Sequence, residues 1–204
     1  MNACRIYSKA IPEDLSPETV AAALELLPLW RRRKALAYRQ LADRFLCAEA
    51  YLLLKQALYE AYALTGDFNF VCSKAAAGGK PSLEGFPDIH FNLSHCPKCV
   101  CCAVSDFPVG IDVEQIQFDG DLLDFAFNEE ERQAILAASS PAVEFTRLWT
   151  MKESLLKLTG EGMSDDIRDV LSKRGCGIAF NTITDAEHSY VLCSAEFVEG
   201  KVPR

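Results

Sequence analysis

Two periods alternate along this chain. Ile89, Phe91 and Leu93 alternate with His90, Asn92 and Ser94, a spacing of two that predicts a half-buried strand running into Ser94-His95. Val100 to Val104 and Val109 to Glu114 read as two more strands, parted by a turn at Asp106-Phe107-Pro108. Together these strands are expected to make one small antiparallel sheet. Ahead of them the period changes to that of a helix. The stretch from about Pro17 to Leu64 reads as helical with an interruption near Pro28, and within it Leu41, Phe45, Ala48 and Leu52 recur at four, three and four. Arg39, Asp43 and Arg44 lie towards the other side of that stripe, and Gly66 marks its stop. Shorter apolar runs predict strands around Ile6 and from Phe68 to Val71, and Ala75 to Pro81 reads as a flexible loop that presents Lys80.

The second half repeats the plan loosely, with helices first and strands last. Asn128 with Glu131 three residues on predicts a capping box opening a helix that carries Ala134, Ile135 and Leu136. Pro141 starts the next helix, which runs to Gly160, and the closing strands are expected at Gly177 to Phe180 and Ser189 to Phe197. With no low-complexity tract and no obvious linker, the chain reads as two closely packed halves with a boundary near Phe107-Pro108, residues 1–108 and 109–204.

Composition narrows what the chain can be. Of its 204 residues half are apolar, enough for a substantial core. A formal net charge of -8 argues against nucleic acid and anionic lipid as partners of the body as a whole. Any polyanionic ligand must therefore meet a local basic patch, and Arg31-Arg32-Arg33-Lys34 supplies a candidate. No apolar stretch approaches the ~20 residues that span a bilayer, and the N-terminal residues, with Arg5 and Lys9, lack the apolar run of a secretion signal, so a cytosolic location is expected. The nine cysteines are scattered through apolar segments as small buried hydrophobes usually are. Cys96, Cys99, Cys101 and Cys102 form the one place where zinc arises, but a second Cys-x-x-Cys pair is lacking, and reduced structural thiols are the expectation.

The chemistry concentrates in two segments. Asp112 and Glu114 are two apart in the run Gly110-Ile111-Asp112-Val113-Glu114, so on a strand both carboxylates face one side while Val109, Ile111 and Val113 face the other. Glu153 and Lys157 are four apart in Trp149-Thr150-Met151-Lys152-Glu153-Ser154-Leu155-Leu156-Lys157 and share a helix face, with Trp149, Leu155 and Leu156 expected to bury the rest. Each has a bland reading: a solvated strand face, and an exposed Glu–Lys pair worth a few tenths of a kcal/mol. If the two segments converge, three carboxylates make an oxygen-ligand site suited to Mg²⁺, with a cation left to hold a phosphate. His95 beside Ser94 is either a satisfied core histidine or a phosphate donor. Gly79-Lys80 lacks the spacing of a Walker A loop.

Taken together, Gly79-Lys80-Pro81, Phe91-Asn92-Leu93-Ser94-His95, Gly110 to Glu114 and Trp149 to Lys157 stand in an order and spacing that resembles the 4'-phosphopantetheinyl transferase superfamily, in its larger type acting on peptide-synthetase, polyketide and fatty-acid carrier proteins. The resemblance implies an α+β fold of two similar lobes related by a pseudo-twofold, each a small antiparallel sheet packed with helices, with coenzyme A in the cleft between them. It implies transfer of 4'-phosphopantetheine from coenzyme A to a serine hydroxyl of an apo acyl or peptidyl carrier protein, Mg²⁺-dependent and releasing 3',5'-adenosine diphosphate, by a monomer. Asp112, Glu114 and Glu153 look like the Mg²⁺ ligands, Glu153 the candidate base on the serine with Glu114 or a metal-bound water as alternatives, and Lys157 the cation that meets the phosphates. Lys80, Pro81, Asn92, Ser94 and His95 look like the nucleotide pocket, closed by Arg32, Arg39 and Arg44. The cysteines from Cys96 to Cys102 fall where members of that family usually carry small or apolar residues. Two other classes stand beside this reading: a non-catalytic module binding coenzyme A or a carrier domain, and a zinc-stabilised interaction protein built on those cysteines.

Overall fold

A computed structural model describes residues 4–72, 80–160, 162 and 167–198. Its elements run β1 (Arg5–Ala10), α1 (Pro17–Glu25), α2 (Leu29–Leu36), α3 (Leu41–Tyr62), β2 (Phe70–Cys72), β3 (Pro81–Leu83), β4 (His90–Cys96), β5 (Cys99–Ser105) and β6 (Val109–Gln115). There follow α4 (Gly120–Ala126), α5 (Glu129–Ala137), α6 (Pro141–Thr159), a 3₁₀ turn at Ile167–Asp169, α7 (Val170–Arg174), β7 (Ile178–Asp185) and β8 (Tyr190–Phe197). The α+β expectation stands: small antiparallel sheets alternate with blocks of helix.

The helical stretch after Pro17 breaks twice. Pro28 ends the first piece, as its missing N–H demands, and residues 37–40 make a second break that the apolar stripe concealed. Leu46, Leu53, Leu54, Ala57 and Leu58 of α3 then cover one face of the first sheet, against Phe91, Val100, Cys102 and Val104. Ala63, in the left-handed conformation, closes α3 before Gly66 is reached.

The strand from Val109 to Glu114 does not join its predecessors. Strands β1, β5 and β4 form one sheet in that order, and β6, β8 and β7 form another, with β6 pairing antiparallel to β8. The expected single sheet of three consecutive strands is therefore wrong. The apolar face of β6 explains the outcome: Val109, Ile111 and Val113 are fully buried against Cys99, Cys101 and Ala103 of the first sheet, together with Tyr190 and Leu192 of β8. A strand that packs onto β5 with its side chains must pair elsewhere through its backbone. Both sheets share one plan, the first strand in sequence pairing with the third and the third with the second, and the helices inserted between first and second.

This packing also corrects the half-buried reading of β4. Asn92 and Ser94 are buried although they occupy its polar face, because that face meets β6: the Ile111 N–H donates to Asn92 Oδ1 at 2.9 Å, and Ser94 Oγ donates to Asp112 Oδ1 at 2.8 Å. The cysteines divide by the same alternation. Cys101 faces the second sheet and Cys102 faces α3, so neighbours in sequence point away from each other and cannot converge on an ion. Cys4, Cys47, Cys96, Cys99, Cys101, Cys102, Cys176 and Cys193 are free thiols. Among the described residues no helix is long and apolar enough to cross a membrane.

Candidate active site

Helix α6 carries the second acidic segment, and its position is set by Gly110. A Cβ there would overlap the carbonyl oxygen of Ser154 and come within 2.5 Å of Leu158 N, so only glycine lets the helix backbone lie on β6. Along α6 one face is sealed: Leu155 and Leu156 are buried with Phe127, Phe145 and Ile167. Lys152 is wholly buried as well. Its ammonium donates to Ile167 O at 3.0 Å and Arg168 O at 2.8 Å, and it pairs with Glu131 at 2.8 Å, the same Glu131 that completes the capping box with Asn128. That lysine ties α6 to its neighbours and is turned away from the acids.

The opposite face of α6 presents Trp149, Glu153 and Lys157, each four residues from the next. Across from it lie Asp112 and Glu114 of β6 and Leu93, Ser94 and His95 of β4, and together these eight side chains line one open depression of about 390 Å³. The two acidic segments thus converge. Lys157 Nζ donates to Asp112 Oδ1 at 2.5 Å and to Ser94 Oγ at 2.9 Å. Asp112 is almost wholly buried, and its Oδ2 has no hydrogen-bond partner.

Electrostatics follow from crowding three acids with one lysine. Burial, then the neighbouring charges of Asp112 and Glu153, pushes the Glu114 carboxyl up to about 7, against the pull of Lys157 and a hydrogen bond from Trp149. Glu153 is raised by burial and by Asp112. For Lys157 burial works against the charge, but Asp112 and Glu153 outweigh it and hold the ammonium above its ordinary range. His95 is lowered by burial and by Lys157, which favours the neutral imidazole. Among the described residues no three His, Cys, Asp or Glu side chains stand in a ready-made metal cage.

The remaining residues singled out in the sequence lie elsewhere. Lys80 and Pro81 line a second hollow of about 200 Å³ with Ser82, Pro87, Ile89, His90 and Phe91. The Lys80 ammonium donates to Val109 O at 2.7 Å and Leu158 O at 3.4 Å, and burial brings its pKa down to about 8. Gly79 falls outside the described residues. Arg32 Nε donates to Leu24 O at 2.7 Å and Arg44 Nε to Tyr38 O at 2.9 Å, while Arg39 is exposed, and none of these three lines the depression. Arg31 departs from the basic patch altogether: it is buried, donates to Cys47 O at 3.0 Å and lies about 6 Å from the rings of Trp30, Tyr51 and Phe70. Trp149 packs against the core with Phe127, as expected of a residue that buries the helix, and also forms part of the depression's wall, a place that its spacing of four from Glu153 signals.

Comparison with known proteins gives the chain's relatives. Residues 108–197 match the profile of the 4'-phosphopantetheinyl transferase superfamily. The chain is 36% identical over 137 residues to a 4'-phosphopantetheinyl transferase of Bacillus pumilus, an alignment covering 66% of this chain and 58% of that relative. It is 29% identical over 165 residues to a 4'-phosphopantetheinyl transferase of Bacillus subtilis, covering 78% and 72%. A third relative, the L-aminoadipate-semialdehyde dehydrogenase-phosphopantetheinyl transferase of Saccharomyces cerevisiae, is 30% identical over 178 residues, covering 79% and 64%. The chain thus spans less than two thirds of the length of the Bacillus pumilus relative it matches.

Proposed function

We propose that this chain, which belongs to the 4'-phosphopantetheinyl transferase superfamily, transfers 4'-phosphopantetheine from coenzyme A to a serine hydroxyl of an apo acyl or peptidyl carrier protein and releases 3',5'-adenosine diphosphate. The observation that carries this reading is the meeting of Asp112, Glu114, Glu153 and Lys157, from two separate elements, in one depression beside Ser94 and His95. An oxygen-rich acidic site next to one lysine suits a phosphate substrate that arrives with a hard divalent cation.

The residues fit Mg²⁺. Asp112 offers a buried oxygen that lacks a partner, and Glu114 and Glu153 supply two further hard ligands in the same depression. When bound there, the ion would supply positive charge against the pyrophosphate of coenzyme A. Lys157 would add a donor at the same phosphates as charge builds on the leaving oxygen. Ser94 and His95 present a hydroxyl and an imidazole to the phosphate groups from the opposite wall. Glu153 takes the proton of the attacking serine, a role suited to a carboxyl that burial and Asp112 hold above its ordinary range. The hollow of Lys80 and Pro81 is assigned to the nucleotide end, with Asn92 fixing β6 through Ile111; Arg32, Arg39 and Arg44 line neither hollow, and their part in closing the nucleotide pocket rests on the family resemblance alone.

The same reading takes residues 1–108 and 109–204 as two lobes related by a pseudo-twofold. The shared strand order of the two sheets and the matching insertion of helices support it. A cytoplasmic monomer completes the proposal.

Incubation with coenzyme A, Mg²⁺ and apo carrier proteins is expected to add the phosphopantetheine mass to the carrier, read by mass spectrometry. Asp112→Ala and Glu153→Ala are expected to lose at least a hundredfold in transfer while keeping the far-ultraviolet spectrum of the parent. Coenzyme A binding without product, across fatty-acid and peptide-synthetase carriers, would replace the enzyme by a binding module.

A further inference from the structure

A buried acid needs a counter-charge, and Asp112 has one supplied by its own chain. Lys157 Nζ sits 2.5 Å from Asp112 Oδ1, and Ser94 Oγ stands 2.9 Å from that ammonium and 2.8 Å from the same Oδ1. The three groups close a triangle. Its inner corner, the Asp112 side chain, is 3% exposed, whereas Lys157 is 28% exposed and lines the depression. The pair is therefore asymmetric: the acid is fixed on β6, and the lysine reaches it from α6 on a flexible stem with open space beside it.

A divalent cation held by Asp112 would lie within a few ångströms of this ammonium. Like charges that close repel strongly in a partly desolvated site, so one carboxylate cannot serve both fully. Ser94 changes what happens next. Its hydroxyl already donates to Oδ1, so when the ammonium leaves, that oxygen keeps a hydrogen bond and the carboxylate keeps its orientation.

We propose that Lys157 is the resident counter-ion of the acidic site, that it competes with the divalent cation for Asp112, and that cation entry displaces its ammonium from Oδ1 into the depression. The inference rests on the reading of Asp112 as a metal ligand, and it adds an order of events: one cation replaces another on Asp112, and the displaced lysine becomes available to phosphate. By linkage, coenzyme A, which gives the released ammonium a new partner, strengthens cation binding in the parent more than in a variant without that charge.

The test is calorimetric titration of Mn²⁺ into chelator-treated protein at pH 8 without coenzyme A. Lys157→Met and Lys157→Gln remove the charge and are expected to bind Mn²⁺ about tenfold more tightly than the parent, while Lys157→Arg stays within about threefold of it. The uncharged variants should also melt at lower temperature without metal, because Asp112 loses its counter-charge, and gain more from added Mn²⁺ than the parent does. Two uncharged variants are specified so that a folding failure in one leaves the other to be measured. Equal or weaker binding by the uncharged variants, or equal tightening by Lys157→Arg, would overturn the exchange while leaving Asp112 as a ligand. Unchanged Mn²⁺ binding in Asp112→Asn, or none in the parent and the variants alike, would instead sink the ligand assignment and the exchange with it.

Discussion

Glu114 shows how much of this site is decided by where a single carboxyl is placed. It shares a strand face with Asp112 and is pushed up to about 7, by burial first and by Asp112 second, from an ordinary value of 4.5. The consequence for stability has a definite sign. Between about 4.5 and 7 the folded chain retains a proton on Glu114 that the unfolded chain has lost, so folding grows weaker as pH rises through that window. Glu114→Gln cannot ionise and lacks this loss. Urea unfolding in the presence of a chelator should therefore show the variant gaining on the parent as pH climbs from about 5 to 7.5, with the gap level above that. A gap that stays constant over the range would mean that Glu114 is not desolvated beside Asp112. The site gathers three carboxyl groups around one lysine, a donor set suited to a hard cation.

At the scale of elements, the sequence was most legible where one period ran unbroken and least legible where two elements had to choose a partner. The helices starting at Pro17 and Pro141, the capping box at Asn128 and the strands β1, β4, β5, β6 and β8 all carried local signals that the structure bears out. Sheet membership carried none. Alternation in β6 told which side chains share a face, but the choice of β8 over β5 as its partner was made by residues eighty positions away. Lys152 was hidden for a similar reason: it stands beside Glu153 in the motif, yet one step along a helix turns it by about 100°, away from the acids and into the core. The motif's glycine has the clearest element-level role, since Gly110 is the point where β6 and α6 touch through backbone. Gly110→Ala is expected to destabilise the fold by about 1–3 kcal/mol or more, because the atoms that its methyl meets are backbone and cannot swing aside. Denaturant unfolding measures this directly. A variant as stable as the parent, with transfer retained, would show that α6 can shift outward freely, and the close approach would lose its significance for placing Glu153.

The whole molecule depends on its two sheets being held in one relation, because Asp112 and Glu153 belong to the second half while Ser94 and His95 come from the first. Apolar packing of Cys99, Cys101 and Ala103 against Val109, Ile111 and Val113 supplies most of that hold, and it is non-directional. Direction comes from a few polar contacts across the seam: Asn92 with the Ile111 N–H, Ser94 with Asp112, and Lys80 with the carbonyls of Val109 and Leu158. Lys80 is the one whose contribution can be read by titration. Burial lowers its pKa from 10.5 to about 8, so between those values the unfolded chain binds a proton that the folded chain has released. Stability from this group therefore increases as pH rises from about 8 to 10.5 and is lost again as pH falls back through 8. A neutral amine still has two N–H donors, enough for the carbonyls of both Val109 and Leu158, so the seam survives the loss of charge. Lys80→Met has no such titration and leaves both carbonyls without that donor. The difference in unfolding free energy between parent and variant should widen in the parent's favour as pH is raised from 8 to 10.5. A difference that holds steady would place the amine in solvent, and the tie between the sheets would then rest on β4 alone.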